Sequence, residues 1–203
     1  MKENERYQRK SMIEVKGHSF LVNDKWGVGR GRIENARNKL VASLQNVPKS
    51  HLKMLGSKVS FIFYSFEYFY RNGHRTSAGF CRGEFDHSYV CIRRDQIGNA
   101  PVMTHEIGHA VDYNLSAEDE KFWVRKWKEQ QAGKITSIAK TGYHMRHPGE
   151  FFATHYEFYY EDCVGKRYFD REILDWFKNF DKKLKKEPQE NITNKNKKIT
   201  GGN

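Results

Sequence analysis

The chain has 203 residues, 37% of them hydrophobic and 14% aromatic, which is enough for one domain with a complete hydrophobic core. Its mean hydropathy is −0.87, and no apolar run approaches the roughly 20 residues needed to cross a bilayer, so the sequence argues against a membrane span. The formal net charge of +11 favours acidic partners or nucleic acid at long range, but much of the excess lies near the carboxyl end.

The two ends differ in composition from the rest of the chain. Residues 1–11 are charged without an apolar stretch behind them, so we predict a flexible start and no secretory signal peptide. Residues 185–203 mix lysine with Asn, Gln, Thr and Gly, which is typical of a disordered, solvated tail. The sequence therefore predicts one domain over residues 1–184. It favours the cytoplasm or export by a non-classical route, and it does not favour nucleic acid as the partner.

The first third of the chain predicts strands and helices in a mixed order. Two short apolar-polar runs around Lys16-Gly17 indicate a strand pair, and a helical spacing of apolar residues precedes Pro48. The run VSFIFYSF is rich in β-branched and aromatic residues, which favours a buried strand. The predicted strands are Met12–Lys16, Ser19–Asn23 and Val59–Phe66, and the predicted helices run from Arg32 to Val47 and then to Leu55.

A second strand pair is predicted just before the middle of the chain, at Ala78–Arg82 and Ser88–Arg93. If this hairpin turns near Asp86, Cys81 and Cys91 lie opposite each other, where a disulfide could form. The second strand leads almost directly into the next helix. We therefore expect it to be an edge strand that can pair with an extended peptide.

The stretch PVMTHEIGHAVDYNL carries the strongest functional signal. On a helix capped at Asn99, with Pro101 in its first turn, residues four apart share one face. His105 and His109 can therefore bind one zinc ion, while Glu106 is placed to act as the general base. Gly108 costs a helix about 1 kcal/mol relative to alanine, which suggests that another backbone approaches closely there.

The remainder of the chain is predicted to be mainly helical. Ser116 resembles the start of a capping box for a helix to about Gln131, and Gly133 to His147 has the composition of a loop. A helix then begins at Pro148 and ends near Glu161, and a last helix after Gly165 ends near Leu184. These elements predict an α+β fold with a small mixed sheet packed on the metal-binding helix.

A catalytic zinc site needs a third protein ligand and one open position. The pattern with a third histidine two turns after the motif fails, because Leu115 stands at that position. Glu129, His144 and His147 are candidates. Glu150 is favoured because the first turn of a helix holds its carboxylate in a defined place.

HEIGHAVD followed by Tyr143 and Glu150-Phe-Phe-Ala resembles the catalytic domain of anthrax lethal factor and its relatives, which include the Pro-Pro endopeptidases. The resemblance covers about residues 78–184 and implies a zincin-like metallopeptidase. It also implies that Glu150 is the third zinc ligand and that Tyr143, seven residues earlier, faces the metal. The family often has an acidic residue four positions after the ligand glutamate, where this chain has Thr154.

The predicted activity is zinc-dependent endopeptidase, with a protein or peptide as the substrate. Zinc would supply an activated water, Glu106 would take and return its proton, and Tyr143 would donate a hydrogen bond to the developing oxyanion. Asp112 could orient one of the histidines. The alternatives are an ImmA-like intracellular peptidase that cleaves phage repressors and a non-catalytic zinc or nucleic-acid-binding module.

Overall fold

The computed structural model describes residues 9–24, 30–74, 77–84, 86–138, 142–162 and 165–186, without the side chains of residues 9, 30–33 and 143. In this part of the chain the protein forms one five-stranded mixed sheet and seven α-helices, which confirms the α+β class. A search of the described helices found none that is long and apolar enough to cross a membrane.

The sheet has the strand order β1-β2-β3-β5-β4. The outer pairs β1–β2 and β4–β5 are antiparallel, while β2–β3 and β3–β5 are parallel. Every residue of the central strand β3 is buried, as expected for a strand in the parallel part of a sheet. The strands are Arg9–Val15 (β1), His18–Asp24 (β2), Val59–Tyr64 (β3), Gly79–Glu84 (β4) and His87–Arg93 (β5).

The predicted strand pair at the start of the chain is confirmed as the β1–β2 hairpin. Its two-residue turn has φ of 52° at Lys16 and 80° at Gly17, the positive values that a tight hairpin with right-handed twist requires. The pairing brings Val15 opposite His18 and continues to the pair Arg9 and Asp24.

The prediction that β5, the strand before the metal-binding helix, lies at the edge of the sheet is wrong. β5 is an interior strand, because β3 pairs with one side of it and β4 with the other. β4 is the edge strand of the described sheet on this side. The parallel pairing with β3 occupies the side of β5 that a peptide would otherwise need.

The predicted disulfide is also wrong, because Cys81 and Cys91 are free thiols. The hairpin register places Cys81 opposite Val90 and Cys91 opposite Phe80, one position away from the expected pairing. Since successive residues of a strand point to opposite faces, the two sulfurs lie on opposite sides of the sheet.

The predicted helices are present with small shifts of their ends, and one short helix was not predicted. That helix, Phe66–Arg71, lies in the expected polar connection and is capped by Ser65, whose hydroxyl accepts from Tyr68 N at 3.2 Å. The helices are Arg30–Ser43 (α1), Lys49–Leu55 (α2), Phe66–Arg71 (α3), Ala100–Asp112 (α4), Ala117–Gln131 (α5), Pro148–Glu161 (α6) and Arg171–Lys186 (α7).

The ends of the described fold differ slightly from the predicted ones. β1 begins at Arg9, inside the stretch 1–11 that is predicted to be flexible, and α7 continues to Lys186. Two predicted segments lie outside the described residues: residues 1–8 of the predicted flexible start and residues 187–203 of the predicted disordered tail.

Helices α4 and α6 cross where neither has a bulky side chain. A Cβ added to Gly108 would lie 3.0 Å from Ala153 Cα and 3.2 Å from Tyr156 Cβ, so any larger residue would press the two helices apart. This confirms that another backbone approaches Gly108. Because Gly108 lies between His105 and His109, and Ala153 lies one turn after Glu150, the crossing point positions all three side chains.

A buried polar network fastens α7 to α2 and α6. His51 is fully buried, with Nδ1 2.8 Å from Tyr156 Oη and Nε2 3.0 Å from Asp181 Oδ1. Tyr160 donates a hydrogen bond of 2.7 Å to the same Asp181 oxygen. The network satisfies both ring nitrogens of a histidine that has no access to water.

We predict that Gly108→Val lowers the free energy of unfolding by about 2–3 kcal/mol, because the added side chain overpacks the α4–α6 contact. Urea denaturation measures the change. Ala117→Val is the matched control, since Ala117 is exposed at the start of α5 and valine there should cost only about 0.6 kcal/mol. Equal losses in the two variants would contradict the packing argument.

Candidate metal centre

His105 and His109 lie on the same side of α4, as their spacing predicts. Asn99 caps this helix, its side-chain oxygen accepting from Val102 N at 3.5 Å, and Pro101 stands in the first turn. The rings of the two histidines have centroids 5.0 Å apart and are nearly perpendicular. The opposite side of the helix is anchored in the core by Met103, Ile107, Ala110 and Val111, all fully buried.

Glu150 completes a cluster with the two histidines. Its Oε2 lies 3.3 Å from His105 Nε2, and its Oε1 lies 3.5 Å from His109 Nε2. One ligand atom from each of the three residues can be chosen so that all lie within 4.8 Å of one another. Tetrahedral zinc with bonds of about 2.0–2.2 Å holds its ligand atoms about 3.3–3.6 Å apart. The two histidine-to-carboxylate distances fall in this range, each through a different oxygen of Glu150, and the donor types are those that zinc binds.

The other candidates for a third ligand have partners of their own, although His147 lines the same pocket as His109 and Glu150. Glu129 forms ion pairs with Arg125 at 2.7 Å and with Lys126 at 3.0 Å on α5. His144 is hydrogen-bonded to Thr154 Oγ1 at 2.8 Å, and His147 caps α6 by accepting from Gly149 N at 3.1 Å.

Glu157 was not identified from the sequence as part of the site. Its Oε2 lies 3.1 Å from His105 Nδ1, so this nitrogen donates to the carboxylate and Nε2 is turned toward Glu150. A carboxylate in this position fixes the orientation and tautomer of a metal-binding histidine. Glu157 lies seven residues after Glu150, which places the two carboxylates on one side of α6. This spacing is the sequence signal that could have identified Glu157.

Asp112 does not have the orienting role that was considered for it. Among the described residues, no hydrogen bond or ion pair joins Asp112 to a histidine, whereas Glu157 contacts His105 directly. Burial raises the pKa of the Asp112 carboxyl to about 6.

The two histidines experience different electrostatic surroundings. Burial opposes protonation of His105, but hydrogen bonds to Glu150 and Glu157 outweigh it and raise its pKa to about 10. Among the described residues, His109 pairs with Glu150 as its only acidic partner, and burial lowers its pKa. A metal at His105 therefore has to displace a proton, while His109 is already neutral.

Glu106 is a buried carboxyl beside this cluster. It is 5% exposed, and its Oε2 makes no hydrogen bond within the part of the chain that the structure describes. Burial, with a contribution from Glu150 and Glu157, raises the pKa of Glu106 to about 8. A buried acceptor without a partner is costly, and such groups are concentrated at functional sites.

Gly79 on the edge strand makes room for Glu106 and was also missed. A Cβ at this position would lie 2.9 Å from Glu106 Cγ and Oε1 and 3.0 Å from the Cys91 carbonyl oxygen. A glycine in a predicted strand is a recognised sign of close approach, so the sequence contained the signal.

The loop before α6 is held to the helices on either side of it. Trp127 Nε1 donates to the Met145 carbonyl at 3.0 Å, and the hydrogen bond between His144 and Thr154 fixes the same segment. Further back, Ser137 is hydrogen-bonded to the buried His155. The backbone of Tyr143 lies in the 3₁₀ helix Gly142–Met145, but its side chain is outside the described part, so its predicted role stays a prediction.

The whole chain was compared with known proteins. No family model, curated protein or solved structure matched. The resemblance to lethal-factor-like peptidases therefore rests on the sequence motifs and stays a prediction.

We predict that Glu157→Gln weakens zinc binding by about 10- to 100-fold, because glutamine cannot stabilise the His105 N–H as a carboxylate does. Competition with a chromophoric chelator measures the affinity. Glu118→Gln is the control, since Glu118 is exposed in the first turn of α5. An affinity that is the same in both variants would show that Glu157 does not support the ligand.

Proposed function

We propose that the protein is a zinc-dependent endopeptidase of the zincin type, with His105, His109 and Glu150 as the ligands. The observation that carries this proposal is the buried Glu106 beside a cluster of two histidines and one carboxylate whose ligand atoms lie within 4.8 Å of one another. Glu106 Oε2 has no hydrogen-bond partner among the described residues. Zinc, when bound, would polarise the scissile carbonyl and lower the pKa of water to about 7.

The chain's own groups would then handle the proton. Glu106 accepts it from the attacking water and delivers it to the leaving amine, a role favoured by its buried position in the pocket beside His109 and Glu150. Glu157 keeps His105 oriented throughout. Tyr143 is proposed to donate to the oxyanion, as the resemblance implies.

An extended substrate would lie along β4 instead of β5. The outer side of β4 has no strand partner within the described residues, and its other side is already paired with β5. β4 also supports the site through Gly79, which adjoins Glu106. We therefore propose that a peptide adds to this edge, close to Glu106.

The site supports catalysis better than a purely structural zinc role. Structural zinc sites usually have four protein ligands and are closed, whereas the described residues here offer three, of which His109 and Glu150 line a pocket of about 180 Å³. The pocket reaches Glu106, His109 and Glu150. An open position of this kind is what a hydrolytic centre needs.

We predict that the purified protein holds about one zinc per chain, and that Glu106→Gln lowers proteolysis at least 100-fold while retaining zinc. Zinc content and cleavage of an unfolded protein such as casein are measured on the same samples. Glu118→Gln should behave as the wild type. Absence of stoichiometric zinc, or undiminished cleavage by Glu106→Gln, would refute the proposed activity.

Tyr143→Phe separates the lethal-factor-like proposal from the ImmA-like alternative. If Tyr143 stabilises the oxyanion, kcat should fall about 100-fold with little change in KM, because the hydrogen bond forms only in the transition state. Tyr168→Phe, at a half-exposed site, serves as the control. Full activity of Tyr143→Phe would favour the ImmA-like alternative.

A further inference from the structure

A pocket beside the proposed centre is formed by three parts of the fold. β4 contributes Cys81, the end of α4 contributes Asp112 and Tyr113, and the start of α6 contributes Gly149. Its volume is about 180 Å³, roughly that of six water molecules and enough for one long side chain. Since Glu106, His109 and Glu150 also line it, a side chain in this pocket belongs to a residue next to the scissile bond.

Asp112 lines this pocket without a partner of its own. No hydrogen bond or ion pair to its carboxylate is found in the described residues, although most of its surface is removed from water. Gly149 keeps the carboxylate accessible, because a Cβ at that position would lie 3.1 Å from Asp112 Oδ2. A carboxylate in such surroundings is stabilised by a cation that enters beside it.

The charges around the pocket are unequal. Its lining contains three carboxyl groups, those of Glu106, Asp112 and Glu150, and the imidazoles of His109 and His147, but neither lysine nor arginine among the described residues. A zinc dication would offset the charges of Glu150 and Glu106, and His147 Nδ1 already accepts a hydrogen bond from Gly149 N at 3.1 Å. The carboxylate of Asp112 would still lack a cationic partner among the described residues.

The walls suit the stem of a long cationic side chain. Tyr113 is 55% exposed at the rim, with its ring packed against Gly83, where a Cβ would lie 3.4 Å from it. Cys81 presents a thiol that burial keeps neutral by raising its pKa. An aromatic ring and a neutral thiol can contact methylene groups while the charged end reaches Asp112.

We infer that this pocket binds the lysine or arginine side chain of a substrate residue that adjoins the scissile bond, and that Asp112 determines this preference. The inference rests on the proposed peptidase function and specifies its substrate class as basic peptides. Asp112 acts on the bound side chain and has no part in the hydrolytic step.

L-lysine hydroxamate and L-norleucine hydroxamate test the inference directly, because they share a zinc-binding group and a four-carbon stem but differ in the ammonium group. Calorimetric titration of the zinc-loaded protein should show that the lysine compound binds at least about tenfold more tightly. Asp112→Asn should make the two affinities equal. Asp175→Asn, an exposed aspartate on α7, should retain the difference.

Cleavage-site mapping on unfolded casein provides the second readout. Lysine and arginine should be enriched at one position flanking the cut, and the enrichment should disappear in Asp112→Asn. Equal affinities of the two hydroxamates for the wild type, or a lysine preference that persists in Asp112→Asn, would overturn the inference. The wild-type comparison decides even if the Asp112 variant fails to fold.

The two proposals fail in different ways. Zinc-dependent cleavage that requires Glu106 but shows no basic preference would leave the peptidase standing and remove the role of Asp112. A protein without stoichiometric zinc and without cleavage would refute both, and the zinc content alone identifies this case.

Discussion

The close contact between α4 and α6 is the constraint on which the site depends. Gly108 and Ala153 let the two helix backbones approach until a single added methyl group would press on Ala153 Cα. Two histidines from one helix can then face one carboxylate from the other at 3.3 and 3.5 Å. A wider separation would leave the same side chains in the sequence but out of reach of a common ion.

One side of α6 serves the site along its whole length. Glu150 approaches both histidines, Thr154 holds His144 of the preceding loop, Glu157 orients His105, and Glu161 accepts from Thr104. The spacings of four, three and four residues keep these side chains on one stripe of the helix. Phe151, Phe152 and Tyr156 on the other side are fully buried, so the core fixes the rotation of that stripe. The favourable field at a helix amino terminus also suits an acidic residue at Glu150.

Local signals were sufficient to predict α4, α6 and the three clustered side chains. Asn99, Pro101 and Pro148 mark helix starts by their own backbone preferences, and the spacing of His105 and His109 is a property of any helix. The strand order was not predictable in this way. Whether β5 lies at an edge depends on β3, about 30 residues earlier, and nothing in the β5 sequence reports that pairing. The register error at Cys81 and Cys91 has a similar cause, since a shift of one residue in a hairpin exchanges the two faces. Glu157 was missed because its partner comes from another helix.

The hydrogen-bond network around His51 connects α7 to the contact between α4 and α6. Tyr156 contacts His51 through its hydroxyl and stands beside Gly108 through its Cβ, while Asp181 satisfies the other ring nitrogen. Without Asp181, the fully buried imidazole of His51 would lose its only acidic partner in the described chain. His51 is hydrogen-bonded to Tyr156, the residue that packs against Gly108 of α4. The structure that supports the metal cluster therefore extends along the chain at least to Asp181, thirty-one positions beyond Glu150.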